Sequence, residues 1–180
     1  MRILTVGFAL LMVLGGCTTT PDIRYYTLDM SSASGGGGEV RFEIGRVRLS
    51  EPVASKDIFI QISPTEVEYY ASDQWVAGVD ELVADKLRAE FGPGRPDAEV
   101  IDLDVAVKKF GQRDVGGGGV EAHVRLEARM ERRGGEVLEK VYSRETPVGP
   151  STRVVNGVVV ALSRSLEEIA AEMAADAAAL

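Results

Sequence analysis

One histidine, His123, and one cysteine, Cys17, stand among the 180 residues, and this narrows the chemistry open to the chain. A thiol nucleophile needs a base within hydrogen-bond reach, and His123 is the sole imidazole on offer. It lies in a run where Val120, Ala122, Val124, Leu126, Ala128 and Met130 alternate with Glu121, His123, Arg125, Glu127 and Arg129. Such alternation describes a strand with one buried and one wet face, so the expectation is a solvated histidine and not a general base. The acidic pairs Asp102/Asp104 and Glu66/Glu68 share faces at strand spacing. Paired carboxylates can do acid–base work or bind Ca²⁺ where loops converge, but the simplest reading is again a solvated strand face. Gly35 to Gly38 and Gly116 to Gly119 lack the Lys-Ser or Lys-Thr of a phosphate loop and read as floppy loops. No zinc site of familiar spacing can be assembled, and neither a metal nor a cofactor is expected.

Cys17 has neighbours of a particular kind. Arg2 gives a positive start, Ile3 to Leu14 is apolar apart from Thr5 and Gly7, and the small Gly15 and Gly16 precede the cysteine. That is the plan of a secretory signal, and its apolar run is short of the ~20 residues a membrane span takes. The run Leu14-Gly15-Gly16-Cys17 resembles the bacterial lipobox. The resemblance implies a signal peptide over residues 1–16, cleavage before Cys17 and acylation of its sulfur and new amine. More than one acyl chain makes a stable anchor, where a single chain holds only marginally. Thr18 follows, not the aspartate that retains many enteric lipoproteins in the inner membrane, so an outer-membrane, periplasm-facing site is expected.

The body is acidic, with 20 Lys+Arg against 28 Asp+Glu and a net charge of −8. That balance argues against nucleic acid and against broad adhesion to anionic lipid. Residues 17–22 read as an acylated tether and 23–180 as a single domain, with no internal repeat. Strands are expected over Ile23 to Leu28, then over Val40 to Leu49 with a bulge at Gly45 where the alternation changes phase. Ile58 to Ile62 and Val67 to Tyr69 form a hairpin around Ser63-Pro64-Thr65. Ile101 to Val107, Val120 to Met130 and Val137 to about Arg144 complete the sheet, the last two joined by a turn at Arg133 to Glu136. Asp73 is expected to cap a helix to about Phe91, with Trp75, Val79, Leu82, Val83 and Leu87 on one face. Ser151 or Thr152 opens a second helix, with Val155, Val159, Leu162, Leu166, Ile169 and Met173 inward. Gly157 within it is expected to pack close to the sheet, and Ala174 to Leu180 to fray. The sum is an α+β domain: a mostly antiparallel sheet of six to seven strands with two amphipathic helices on one face.

Aromatic residues supply the candidate surface. Tyr25-Tyr26 and Tyr69-Tyr70 place neighbours on opposite faces of a strand, so one of each pair falls outside the core. Trp75 reads either as a core residue sealing the sheet edge or as an interface anchor. Tyr25, Tyr26, Tyr70 and Trp75 are the candidate partner-interface residues.

The order of these pieces resembles the ABC-type transport auxiliary lipoprotein family, whose best-known type is paraquat-inducible protein C. The resemblance rests on the lipobox, on Tyr25-Tyr26-Thr27-Leu28, on Ile44 to Leu49, and on the block EVEYYASDQWVAGVDELVADKLRAEF from Glu66 to Phe91. Gln74 and Gly78 stand where many relatives carry Arg and Pro. Membership implies no enzymatic activity. It implies an auxiliary or docking role beside MCE (mammalian cell entry) proteins and an inner-membrane permease, in systems thought to move lipid between the envelope membranes. A ring-forming homo-oligomer would match the MCE rings. The alternative from the binding class is a periplasmic lipid carrier with an acyl-chain cavity of several hundred Å³ between helices and sheet.

Overall fold

The strand that contains Ile101 does not stop at Val107. In a computed structural model describing residues 22–31 and 40–180, strand β5 runs over Glu99–Gly116 and is the spine of the domain. Ile101, Leu103, Val105 and Val107 point inward; the register slips between Val107 and Lys109, and Phe110 and Gln112 take over the inward positions. The slip breaks the sequence pattern, and this is why the second half of the strand is hidden in it. On one side β5 pairs antiparallel with β6 (Gly119–Arg132). On the other it carries two strands end to end, both parallel to it: β2 (Val40–Leu49) beside Glu99 to Val107, and β3 (Asp57–Ser63) beside Gly111 to Arg113. β4 (Glu66–Trp75) makes a hairpin with β3, β1 (Arg24–Tyr26) lies parallel on β4, and β7 (Val137–Pro147) closes the far edge on β6.

The result is one seven-stranded mixed sheet in the order β1-β4-β3-β5-β6-β7, with β2 on β5, and two helices against it. The expected bulge is present, the β2 register shifting between Ile44 and Val47. The β5–β6 connection is not a floppy loop. Gly116 pairs with Gly119, and Gly117 and Gly118 between them have φ of +60° and +80°. Two positive φ values define the tight primed turn that matches strand twist, and glycine supplies them without steric cost. The turn before β7 is closed differently, by Gly135 N–H donating to Arg132 O at 3.0 Å, and again uses glycines with positive φ, Gly134 and Gly135.

Helix α1 spans Val79–Phe91 and α2 Val154–Ala178. The predicted apolar faces are buried: Val79, Leu82, Val83 and Leu87 on α1, and Val155, Val159, Leu162, Leu166, Ile169 and Met173 on α2. Asp73 does not cap α1. The backbone from Asp73 to Trp75 is committed to the sheet, paired with Arg24 to Tyr26 on one side while Trp75 N–H donates to Lys56 O at 2.8 Å on the other. Trp75 sits four residues before Val79, so a helical period fits a residue that is in fact the last of a strand. The helix starts after Gly78 and ends where expected, Gly92 (φ +63°) donating its N–H to Arg88 O.

Two expectations for α2 are corrected. The close neighbour of Gly157 is not the sheet but the segment after β7: a Cβ there would lie 2.6 Å from Val148 Cγ1 and 3.3 Å from Gly149 O. The C-terminal turns do not fray, because Ala177 is buried and Asp176 accepts hydrogen bonds from Lys140 Nζ and Tyr142 Oη, both at 2.7 Å. Sequence periodicity showed the stripe but not this polar clamp.

Candidate interaction surfaces

The segment Asp22 to Ser31 is built into the domain residue by residue. Arg24 and Tyr26 face inward from β1 and converge on Asp73: Arg24 Nε donates to Oδ1 at 2.7 Å, Arg24 Nη2 to Oδ2 at 3.1 Å, and Tyr26 Oη to Oδ1 at 3.0 Å. The guanidinium holds the Asp73 carboxyl below its ordinary range, against the opposing effect of burial. Burial and the adjacent carboxylate push the Tyr26 phenol up. Leu28 enters the core, Asp29 N–H donates to Ser163 Oγ at 3.0 Å, and Ser31 O accepts from Lys86 Nζ at 2.9 Å.

Lys86 is the residue the sequence did not single out. Its side chain is wholly buried between the helices, 2.7 Å from Glu90 and 2.8 Å from Glu167. Burial disfavours the ammonium, but the hydrogen bonds it donates to Glu167 and Glu90 outweigh it and the pKa stands above its ordinary value. The available signal was a Lys and a Glu four apart on the apolar stripe Leu82-Lys86-Glu90 of α1.

The four candidate interface residues part company. Tyr25 points away from the core and is 63 % exposed. Tyr26 is held by Asp73, and Tyr70 donates to Gln112 Oε1 while burial and the nearby Asp73 and Asp114 push its phenol up to about 12. Trp75 is 1 % exposed, its ring 5.6 Å from that of Phe110, so the core reading is the one observed and it offers no surface in this chain. Cys17 and the lipobox residues Leu14, Gly15 and Gly16 lie outside the described residues, as does Gly35 to Gly38.

The sheet face away from the helices is charged but not uniformly wet. The His123 side chain is only 15 % exposed and 4.0 Å from Glu145. Burial pulls its pKa down, with Glu145 opposing. Arg113 beside it donates to both Glu145 oxygens at 2.6 and 2.7 Å and to Glu121 at 2.8 Å. An open cleft of about 550 Å³ lies here, lined by Gln61, Pro64, Lys109, Arg113, Val115 and His123 among others. Phe59 is buried on this same face, edge-on to Tyr69 and with the Lys109 ammonium 5.8 Å from its ring centre. Asp104 accepts the Arg46 N–H at 2.8 Å and so closes the β2 bulge, while Glu66 and Glu68 stay exposed. Among the described residues no three His, Cys, Asp or Glu side chains gather to hold a metal.

The end of the domain around β1 has a different character. Ile23, Tyr25, Val76 and Val154 are exposed there, and Val160 further along α2. Val160 and Arg164 stand between two open clefts, one of about 450 Å³ beside Leu28 and Asp29, the other of about 410 Å³ beside Pro147 and Pro150. Among the described residues no helix is long and apolar enough to cross a membrane.

The solved structures similar to this chain include two of the same fold. One, described as the crystal structure of an uncharacterized protein, superposes with a TM-score of 0.67 at 16 % identity, covering 86 % of this chain and 98 % of its own. The other, a protein from Xanthomonas campestris, gives a TM-score of 0.67 at 18 % identity over 84 % of this chain and 91 % of its own. No curated protein matches the chain in sequence. Residues 26–174 match the family described as the ABC-type transport auxiliary lipoprotein component. That span begins at Tyr26, the last residue of β1, and ends within the last turns of α2, so it takes in β2 to β7, α1 and most of α2. The chain belongs to this family of membrane-anchored periplasmic lipoproteins, non-catalytic auxiliary components of ABC-type transport.

Proposed function

We propose that this protein is an outer-membrane lipoprotein, acylated at Cys17, that docks an MCE protein and its inner-membrane permease and so completes a lipid path across the periplasm. The observation that carries the reading is the family match over residues 26–174, joined to a body whose N-terminal segment is fastened from Arg24 to Ser31. Thr18 to Asp22 is five residues, a reach of about 17 Å from Cys17, so an acylated chain keeps this body beside the bilayer. The sheet face bearing Val67, Tyr69 and Val141, each more than a third exposed, is the surface assigned to the protein partner. A ring of several copies would present that face repeatedly to a ring-shaped MCE assembly.

The carrier reading is supported less well. The space between helices and sheet is filled by Leu103, Leu126, Met130, Leu162, Leu166 and Ile169, all without exposure, where an acyl chain would need a cavity of several hundred Å³.

Photo-crosslinking in intact cells from Tyr69 and Val141 tests the docking. Adducts with an MCE protein are expected from at least one site. Adducts with neither, from a chain shown by mass to be acylated, would remove the proposal.

A further inference from the structure

The exposed apolar residues are not scattered evenly, and one group of them lies where the tether joins the body. Ile23 directly precedes β1, and Tyr25 on β1 pairs with Gln74 with its ring on the side away from the core. Val76 N–H donates to Tyr26 O at 2.9 Å, which carries the ladder one residue beyond the strand. Asp29 N–H donates to Ser163 Oγ at 3.0 Å, and Leu28, Val159 and Val160 line one cleft, which sets the N-terminal half of α2, with Val154 at its start, against the segment that follows β1. Ile23, Tyr25, Val76 and Val154 are 38, 63, 56 and 50 % exposed. β1 itself is an edge strand with β4 as its one partner.

From this we infer that the β1 end of the domain is a bilayer-contact surface, in which Ile23, Tyr25, Val76 and Val154 enter the headgroup–acyl boundary of the leaflet holding the anchor. The inference rests on acylation of Cys17 and adds an orientation to it. The occupant is identified by the length of chain outside the described residues and by where it ends. A tether of about 17 Å that must also cross the headgroups keeps the first described residues within about 10 Å of the bilayer surface. The chemistry agrees: tyrosine is an amphipathic ring enriched at membrane interfaces, and short aliphatic side chains bury beside it. β7 is the opposite edge of the sheet, five strand spacings from β1, which is about 24 Å at the usual separation. In this orientation the sheet stands edge-on to the membrane, with β7 and the face bearing Val141 held out in the periplasm.

The mature acylated chain has no thiol other than Cys17, whose sulfur is then a thioether, so single cysteines can be labelled specifically. Full-length acylated Tyr25→Cys, Val154→Cys, Val137→Cys and Val141→Cys are labelled with an environment-sensitive fluorophore. Each is reconstituted in phosphatidylethanolamine–phosphatidylglycerol vesicles with and without doxyl-labelled lipid. Emission from positions 25 and 154 is expected to shift to the blue and to be quenched about twofold, and that from 137 and 141 to be unchanged. Ile23→Glu with Val76→Glu is expected to abolish quenching at 25 while leaving the acylated mass intact, which separates docking from mere tethering. Absence of quenching at 25 and 154 in a chain of acylated mass would overturn this inference and leave the anchor standing. An unacylated Cys17 would overturn both. Crosslinking of position 25 to a second copy or another protein, with no quenching, would reassign the surface and overturn the inference as well.

Discussion

The ammonium of Lys86 lies 2.9 Å from the backbone oxygen of Ser31, fifty-five residues earlier in the chain. This joins the last described residue of the N-terminal segment to a buried charge between the helices. The pairing does two things at once. It gives the segment a fixed end beyond Leu28, and it supplies Lys86 with a third oxygen besides Glu90 and Glu167. A fully buried ammonium needs all its donors matched, because each unmatched one carries the desolvation penalty with no return.

Lys86→Met therefore strands the Glu90 carboxylate, itself buried, and is expected to destabilise the fold by about 3–5 kcal/mol. Urea titration of the acylated protein in detergent measures it. Adding Glu90→Leu is expected to recover a large part of the loss, since a buried pair replaced by packed apolar groups is often neutral. A single variant as stable as the parent would show that the cluster contributes nothing.

Asp73 gives a signature at low pH. Its carboxyl is held below 3.8, first by Arg24 and, more weakly, by Tyr26. A depressed folded-state pKa contributes stability that is complete above the unfolded value and lost as pH falls through the folded one. Stability is thus expected to decline below about pH 4, and Asp73→Asn to flatten that part of the curve. Tyr26→Phe removes one of the three hydrogen bonds and is expected to cost about 1 kcal/mol, with the Arg24 pair intact.

His123 acts in a higher window. Burial lowers its pKa from 6.5, so the unfolded chain takes up a proton that the folded chain resists. Stability is expected to fall as pH drops below about 6.5 and to level off once the folded-state pKa is passed. His123→Gln should be insensitive over that interval, read by thermal melts at a series of pH values.

Trp75 and Tyr25 should separate cleanly. Trp75→Ala empties a packed position against Phe110 and is expected to cost about 3–5 kcal/mol. Tyr25→Ser, on the exposed side of β1, is expected to stay within about 0.5 kcal/mol of the parent. Denaturant midpoints decide it; equal effects would contradict the opposite burial of the two rings.

Gly111 is the tightest point between β3 and β5. A Cβ there would lie 2.3 Å from Phe59 O, a backbone atom that cannot step aside alone. Gly111→Ala is expected to lose about 2–3 kcal/mol, measured by the same titration.

What was legible in the sequence follows from what alternation encodes. Val120 to Met130 showed its inward face because the strand is long and regular, and Gly45 marked the β2 bulge because the phase changes there. Alternation says which way a side chain points, not which strand lies alongside, so the parallel pairings of β1, β2 and β3 could not be read from it. The second half of β5 was lost at its bulge, and the start of α1 was misplaced because Trp75 satisfies strand and helix spacing alike. Adjacency splits each tyrosine pair between faces, but which ring is held depends on Asp73 and Gln112, which meet Tyr26 and Tyr70 only in three dimensions. Lys86 was missed because a lysine on an apolar stripe looks like the margin of the stripe until Glu167 arrives from the other helix.

The fastening of the N-terminal segment has a mechanical consequence. A pull from the bilayer reaches Asp22 first and then meets, in series, the three rungs of β1, the buried Leu28 and the Lys86 clamp. Fastenings in series bear the same load and the weakest gives way first, so the segment from Asp22 to Ser31 would release about 30 Å of chain if these fastenings part before the rungs between β2 and β7 do. The protein thus carries a shock absorber between its anchor and the sheet that its partner would grip.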